Sequence, residues 1–297
     1  MMSTRDDGFE AFERGVAELS AGRVHYREAG EGPPVVFVHG WGVNGSLWGE
    51  TAARLAGSHR CIVPDLPFGS HREPLKPEAD LSPPGAAQIV SELLGALELE
   101  DVTIVANDSG GAVSQILVTE RPERVARLVL TNSDCLEVFP PGTFKLMVAG
   151  LKIPGFVALL VSSLRLELIQ RSPLAYGALS RERIPSEQLA GWVRPAIENR
   201  EVRRDSRKFG AAMSPRHTLA AAEKLPQLVI PVLLAWGERD RFFKIELAER
   251  LAELIPDSRL VRLPDALTFV PIDEPERLAA EVSGFIAETP DAAATAA

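Results

Sequence analysis

The chain has 297 residues, of which 45% are hydrophobic and 25% charged, and its formal net charge is −9. This apolar share excludes a disordered chain, and the lack of a glycine period excludes a collagen-like one. The acidic balance argues against nucleic acid or an anionic membrane as a partner, because both reward clustered positive charge. The length predicts one large domain or two smaller ones.

The N-terminal residues are polar and acidic, without the basic region and apolar stretch of a secretory signal. The longest apolar run, Phe156–Leu164, is too short to span a bilayer. Cys61 and Cys135 are isolated thiols without metal-ligand spacing, and we expect both to be small core residues in a reducing cytoplasm. We predict neither a metal nor another cofactor, and we leave a homodimer open.

The first half of the chain alternates strand and helix patterns. Period-two segments on both sides of a Ser-Ala-Gly turn predict an antiparallel hairpin, and short, wholly apolar strands follow with helices between them. These strands predict a parallel sheet that is covered on both faces. In chain order the predicted strands are Gly15–Leu19, Arg23–Glu28, Val35–Val38, Cys61–Val63, Val102–Ala106 and Val125–Leu130, and the predicted helices are Ser46–Leu55, Pro84–Leu97 and Gly110–Thr119.

This alternation stops after Cys135. The sequence then reads as helical, punctuated by prolines and rich in arginine, until about residue 222. We therefore predict an α/β core over residues 1–135 and 223–297, a helical insertion over 136–222, and a frayed C-terminal tail. The second core part is predicted to contain the strands Val229–Trp236 and Arg259–Leu263 and the helices Ile245–Leu254 and Pro275–Ile286.

The segment 106–111, ANDSGG, joins a predicted strand to a predicted helix and resembles the nucleophile elbow of the α/β-hydrolase fold. That motif has small residues two positions before and after its centre, because the tight turn crowds the backbone there. Centred on Asp108, it has Ala106 and Gly110 at those positions. Centred on Ser109 instead, it has Asn107 at a crowded position, which is sterically worse. We therefore predict Asp108 at the centre of the turn.

The resemblance continues along the chain. The segment 39–41, HGW, is similar to the family's oxyanion loop, and the segment 65–69 is similar to the loop after the next strand. The segment 236–240, WGERD, is similar to the loop that supplies the catalytic acid. Order and spacing cover about residues 23–286. They imply an α/β-hydrolase fold with a mostly parallel, twisted sheet, helices on both faces, and a helical cap at 136–222.

An aspartate at the elbow resembles the branch of haloalkane dehalogenases and epoxide hydrolases. The resemblance implies that the Asp108 carboxylate attacks carbon and forms an alkyl ester, a step that needs no base because the carboxylate is ionised at neutral pH. The backbone N–H groups of Trp41 and Ser109 would face the carbonyl oxygen of that ester. His39 belongs to the same oxyanion loop, where its usual role is to hold the backbone.

Two acidic residues follow core strands where relatives place the catalytic acid. Asp240 lies at the usual position and would orient a histidine. Asp134 is the second candidate, because some relatives place the acid after the preceding strand.

The family's catalytic histidine is missing from its usual position. Counting back from Pro275, that position falls on Thr268, and the sequence has no histidine after His217. A positioned general base typically contributes about 10²–10⁴ in rate, and a threonine hydroxyl cannot accept a proton at pH 7. His71 and His217 are the two histidines that we consider as replacements, with weak support for each.

Other departures from the family's pattern affect residues that would contact the substrate. Dehalogenases usually have a halide-binding tryptophan after the nucleophile, where this chain has Ser109, and the epoxide hydrolases use cap tyrosines, whereas the insertion has only Tyr176. We expect the insertion to supply an apolar chamber. Its candidate lining residues are Phe139, Phe144, Phe156, Leu160 and Trp192.

We therefore predict a hydrolase that acts through Asp108 on a small apolar carbon electrophile, either an alkyl halide, an epoxide or an ester. The missing histidine leaves two alternatives open. One is a non-catalytic relative that binds an apolar ligand. The other is acid–base chemistry by Asp108 on an apolar metabolite, without a covalent ester.

Overall fold

A computed structural model describes residues 9–289, and the predicted tail beyond Thr289 lies outside the described residues. The described chain contains one eight-stranded sheet with the strand order β1-β2-β4-β3-β5-β6-β7-β8. β1 pairs antiparallel with β2, and β2 pairs antiparallel with β4, whereas all the other pairs are parallel. The strands are β1 Glu13–Leu19, β2 Gly22–Ala29, β3 Pro34–Val38, β4 Arg60–Pro64, β5 Val102–Asp108, β6 Val125–Ser133, β7 Val232–Gly237 and β8 Ser258–Leu263.

Twelve α-helices lie between and after these strands in the described chain. The predicted helix at 46–55 begins with a 3₁₀ turn, Gly45–Trp48, before it becomes α-helical. The helices are α1 Gly49–Leu55, α2 Pro83–Ala96, α3 Ser109–Glu120, α4 Lys145–Gly150, α5 Phe156–Ser163, α6 Glu167–Gln170, α7 Ser186–Glu198, α8 Arg200–Ala212, α9 Pro215–Ala222, α10 Ile245–Leu254, α11 Val270–Asp273 and α12 Pro275–Glu288.

The parallel strands are buried on both faces, which explains their continuous apolar sequences. In β3, Val36 and Val38 pack into one buried cluster together with side chains of α2, α3 and α10. Val35 and Phe37 point to the other face and pack with side chains of α1 and α12. Because successive side chains of a strand alternate between faces, one short apolar strand serves both layers of helices.

The predicted strand at 229–236 is wrong at its start. The strand begins at Val232, and the side chain of Val229 is 90% exposed. Pro231 explains the boundary, because proline has no N–H to donate to a ladder. Its carbonyl oxygen still accepts a hydrogen bond from the Leu128 N–H at 3.1 Å.

Residues 136–222 fold into helices and turns between β6 and the last part of the core. Of the five helices α4–α8, called the cap helices below, α4, α5, α7 and α8 line a cavity at the carboxyl ends of the parallel strands. α9 differs from them, because it packs against the core helix α3 and its Ala221 joins the buried cluster of that face. No helix within residues 9–289 is long and apolar enough to cross a membrane.

Candidate active site

Asp108 lies at the sharp turn between β5 and α3. Its backbone has φ 55° and ψ −135°, a conformation that non-glycine residues rarely adopt and that marks functional turns. The turn exists only because its neighbours are small. A Cβ on Gly110 would lie 2.4 Å from the Val38 carbonyl oxygen, and a Cβ on Gly40 would lie 2.4 Å from Asp108 Oδ1. The strained residue is therefore Asp108, and its side chain fits tightly against the loop after β3.

The carboxyl of Asp108 faces backbone N–H groups. The Ser109 N–H donates to Asp108 Oδ1 at 2.5 Å, and the Trp41 N–H donates to Ser109 Oγ at 2.8 Å. Burial raises the pKa of Asp108, while hydrogen bonds from Ser109 and from the Trp41 N–H partly offset that rise. These donors favour the ionised form, and the Ser109 N–H on Oδ1 is a donor of the kind that an oxyanion hole requires.

Asp108 lines an apolar cavity of about 150 Å³. Trp41 and Asp134 also line it, together with apolar side chains from the cap helices and from the segment 140–144. None of the lining residues carries a positive charge. Of the five predicted chamber residues, Phe144, Leu160 and Trp192 line the cavity. The prediction is wrong for Phe139 and Phe156, which pack in the neighbouring core instead.

Asp134 follows β6 and is 2% exposed. Its backbone N–H donates to the Asp108 carbonyl oxygen at 3.2 Å, which places the two residues side by side. Its Oδ1 is buried without a hydrogen-bond partner in the described chain. Burial, together with the nearby charges of Asp108 and Asp240, raises the pKa of Asp134 well above its ordinary value.

Asp240 lies behind the cavity wall, in the loop between β7 and α10, and accepts the Phe242 N–H at 2.7 Å. Burial raises its pKa to about 6, although hydrogen bonds from neighbours that include the Phe242 N–H act in the opposite direction. Thr268 is fully buried in the loop between β8 and α11. Its hydroxyl faces Asp240, yet neither Thr268 Oγ1 nor Asp240 Oδ2 has a partner at ordinary hydrogen-bond distance.

Asn107, one residue before the turn, connects the end of β5 to the end of β6 and to the loop that contains Thr268. Its Nδ2 donates to Thr131 Oγ1 at 2.8 Å, to the Asn132 carbonyl oxygen at 3.1 Å and to the Thr268 carbonyl oxygen at 2.7 Å. Sequence patterns had marked Asn107 only as a crowded position. Its amide therefore fixes the loop of Thr268 against the end of β6.

Only one of the three predicted substrate-binding residues lines the cavity. Trp41 lines the cavity, and its indole N–H donates to Ser206 Oγ at 3.0 Å on α8. Ser109 is buried beneath the turn and is not among the cavity-lining residues. His39 does not reach the cavity either. Its Nε2 accepts the Leu66 N–H at 2.9 Å, its Nδ1 donates to the Gly40 carbonyl oxygen at 2.8 Å, and burial lowers its pKa to about 4.

Neither candidate replacement histidine reaches Asp108 through the cavity. His71 is buried, with Nδ1 accepting the Gly69 N–H at 3.3 Å and Nε2 facing Asp205 Oδ2 at 3.3 Å. His217 lies in α9 and accepts a hydrogen bond from the Arg216 Nε at 3.2 Å. Neither histidine lines the cavity. Within residues 9–289, no group of three or more His, Cys, Asp or Glu side chains is placed to hold a metal ion.

The raised pKa of Asp240 predicts a pH-dependent stability. Between its ordinary pKa of 3.8 and about 6, the folded chain binds more protons than the unfolded chain. The favourable contribution of this group is therefore complete below pH 3.8 and is lost as the pH rises through 6, by about 3 kcal/mol in all. We expect Asp240→Asn to flatten this part of the stability curve, measured by urea unfolding across that range. The exposed Asp257→Asn variant is the control. If the stability of Asp240→Asn depends on pH in the same way as that of the wild type, this assignment is contradicted.

A mostly parallel sheet covered on both faces, with a strained turn between a central strand and the next helix, is characteristic of the α/β-hydrolase fold. The family model for the alpha/beta hydrolase fold matches residues 33–275. The chain belongs to this family, and we class it as a hydrolase.

Comparisons with curated proteins and solved structures agree with this assignment to the α/β-hydrolase fold. Haloalkane dehalogenase 2 of Mycobacterium bovis is 29% identical over 290 residues, which cover 94% of this chain and 96% of that protein. The pimeloyl-[acyl-carrier protein] methyl ester esterase of Aeromonas salmonicida is 28% identical over 265 residues, 86% of this chain and 96% of that protein. The crystal structure of haloalkane dehalogenase DbeA from Bradyrhizobium elkani is similar in fold, with a TM-score of 0.78 and 21% identity over 94% of this chain and 98% of its own.

Proposed function

We propose that this hydrolase acts on a small apolar carbon electrophile, with Asp108 as the nucleophile. The observation that carries the proposal is the Asp108 carboxyl at a strained turn, inside an apolar cavity and facing backbone N–H donors. A carboxylate oxygen attacks the carbon, the bond to the leaving group breaks with its electron pair, and an alkyl ester of Asp108 forms. The second carboxyl oxygen becomes the ester carbonyl oxygen, beside the N–H groups of Ser109 and Trp41.

Thr268, in the position of the family's histidine, limits the second step. Hydrolysis of the ester requires a base that takes a proton from water, and a threonine hydroxyl does not do so at neutral pH. His71 is held by Gly69 and Asp205, and His217 lies outside the cavity. We therefore propose that the alkyl ester forms faster than it is hydrolysed and accumulates on the protein.

The experiment is intact-protein mass spectrometry after incubation with apolar electrophiles of matched length, hexyl bromide and butyloxirane. We expect one adduct per chain, followed by slow release, and no adduct in Asp108→Asn, which keeps the shape of the side chain but not its nucleophilic carboxylate. An exposed aspartate variant, Asp257→Asn, is the matched control and should alkylate like the wild type. An adduct that survives in Asp108→Asn would overturn the assignment of the nucleophile.

The unoccupied base position also favours a second candidate, a non-catalytic relative that binds an apolar molecule in the same cavity. Its signature is a thermal shift or calorimetric binding of such molecules, with neither adduct nor turnover across a broad panel of electrophiles. For the cellular setting we propose a reducing cytoplasm, which is supported by the buried free thiols of Cys61 and Cys135.

A further inference from the structure

The carboxyl groups of Asp108 and Asp134 line the cavity, that of Asp240 lies behind its wall, and no cationic residue lines the cavity. Asp108 accepts hydrogen bonds from Ser109, and Asp240 accepts the Phe242 N–H. The carboxyl of Asp134 receives no such donor within the described chain, and its Oδ1 is buried and unpartnered. Of the three, Asp134 therefore gains the least from being ionised, because like charges repel and nothing compensates its charge.

The other polar groups that line the cavity are already engaged. The hydroxyl of Tyr176 donates to the Gly42 carbonyl oxygen at 2.6 Å, and the indole of Trp41 donates to Ser206. Ser70 Oγ donates to the Trp192 carbonyl oxygen at 2.6 Å. No indole N–H is therefore free to stabilise a leaving halide, and the tyrosine is not free to protonate an oxygen. The unpartnered side chain beside Asp108 is that of Asp134.

The geometry points to Asp134 as the proton donor of the reaction and to an epoxide as the substrate class. This inference rests on the proposed role of Asp108. The Asp108 carboxylate attacks one epoxide carbon, the C–O bond of the ring breaks, and its electron pair goes to the oxygen. That oxygen takes the proton of the neutral Asp134 carboxyl, so the products are a hydroxyalkyl ester on Asp108 and an Asp134 carboxylate. An alkyl halide needs no proton, since halide leaves as an anion.

The titratable groups that face Asp134 are Asp108, Asp240 and the neighbouring thiol of Cys135. Burial raises the pKa of Asp134 well above its ordinary value, and the nearby carboxyls of Asp108 and Asp240 raise it further. Alkylation by the epoxide should therefore slow at high pH as Asp134 ionises. Alkylation by the bromide should not follow that decline.

The test compares the alkylation rates of wild type and Asp134→Asn with butyloxirane and with hexyl bromide. We expect the ratio of the epoxide rate to the bromide rate to fall by about 10²-fold or more in the variant, the usual contribution of a general acid. Asp134→Glu, which keeps the acid, should recover part of the epoxide rate. Thermal melting verifies that each variant is folded.

The outcomes separate the two proposals. Equal losses with both probes, or no loss with the epoxide, would overturn the role of Asp134 and leave that of Asp108 intact. Alkylation by the bromide but not by the epoxide in wild type would do the same. Absence of any adduct in wild type would overturn both.

A separate feature is an exposed apolar surface on the cap helices. This surface, called the cap patch, consists of six of the nine large hydrophobic residues that are exposed in the described chain. They are Leu146 at 84%, Ile153 at 60%, Leu159 at 70%, Leu166 at 62%, Leu168 at 85% and Leu174 at 77% exposure. Leu174 also lines the cavity, so the patch continues into its entrance. Such clusters mark interaction surfaces.

The charges around the cap patch are opposite in sign to the charge of the whole chain. Lys145, Lys152 and Arg165 are exposed beside its leucines, while the acidic Glu167 is paired with Arg171 at 2.7 Å. We infer that the cap patch docks on an anionic lipid surface, where apolar side chains enter the interface and basic ones meet the headgroups. The net charge of −9 argues against this partner for the chain as a whole, but the charged side chains named beside the patch are basic apart from the paired Glu167.

The test is co-sedimentation with phosphatidylglycerol vesicles and with phosphatidylcholine vesicles. We expect binding to the anionic vesicles that salt weakens, and a loss of about tenfold in the triple variant Leu159→Ser, Leu166→Ser, Leu168→Ser. Val229→Ser is the matched control, because that side chain is 90% exposed outside the cap helices. No binding to anionic vesicles, or equal binding by the triple variant, would overturn the inference. Concentration-dependent dimerisation that the triple variant alone loses, without vesicle binding, would reassign the patch to self-association.

Discussion

Thr268→His is expected to convert single alkylation into repeated turnover. Thr268 is fully buried beside Asp240, whose Oδ2 has no hydrogen-bond partner. An imidazole at this position would donate one N–H to Asp240 and present its other nitrogen toward the ester of Asp108. A positioned general base typically contributes about 10²–10⁴ in rate. We expect the release of alcohol or diol to rise by that factor, measured as steady-state product after the first equivalent.

Two variants control this experiment. Thr268→Val has nearly the same shape but no titratable group, and it should leave ester release slow. The double variant Thr268→His, Asp240→Asn should lose most of the gain, because the imidazole then lacks its charged partner. A folded Thr268→His variant whose ester is as long-lived as in wild type would show that residue 268 does not face the bond to be hydrolysed.

Under the proposed function, Thr268 in the position of the family's histidine also bears on the electrostatics of the site. No cation lines the cavity, and burial raises the pKa values of Asp108, Asp134 and Asp240. Under the proposed function, Thr268 supplies no base for the second step, and a protonated Asp134 supplies an acid for the first.

Much of the fold could be predicted because the parallel strands are short, wholly apolar and bounded by turns. The elements around Val35–Val38 and Val102–Ala106 are confirmed to within a few residues. The start of β7 could not be predicted from hydrophobicity, since Val229 is apolar and yet exposed. Proline at 231 was the usable signal, because it cannot donate to the ladder.

The candidate site could be predicted only in part from the sequence. The elbow could be placed at Asp108 because small residues two positions away are a local requirement, and the structure has its positive φ there. Side-chain pairing is not local, however. That Asn107 fixes the loop of Thr268, and that Asp134 has no donor, depends on how separate strand ends meet. No periodicity along the chain contains that information.

Among single substitutions at residues other than Asp108, Asp134 and Asp240, we expect Asp205→Ala to reduce the stability of the fold most. Asp205, in α8, is fully buried and accepts hydrogen bonds from Arg204 Nε at 2.8 Å and from the Leu75 N–H at 2.8 Å, with His71 Nε2 at 3.3 Å. Removing one partner of such a pair leaves the others buried and unsatisfied, which costs about 3–5 kcal/mol. Urea unfolding should show this loss.

The loss should also be visible at the cavity, because Asp205 joins α8 to the loop 69–75 and both supply lining residues. We expect Asp205→Ala to slow alkylation of Asp108, whereas Asp205→Asn, which still accepts one hydrogen bond, should lose less stability and less rate. Glu50→Ala is the control, since its pair with Arg54 is solvent-exposed at 3.9 Å and contributes little. If Asp205→Ala unfolds at the same urea concentration as wild type, the buried network does not hold α8 to the core.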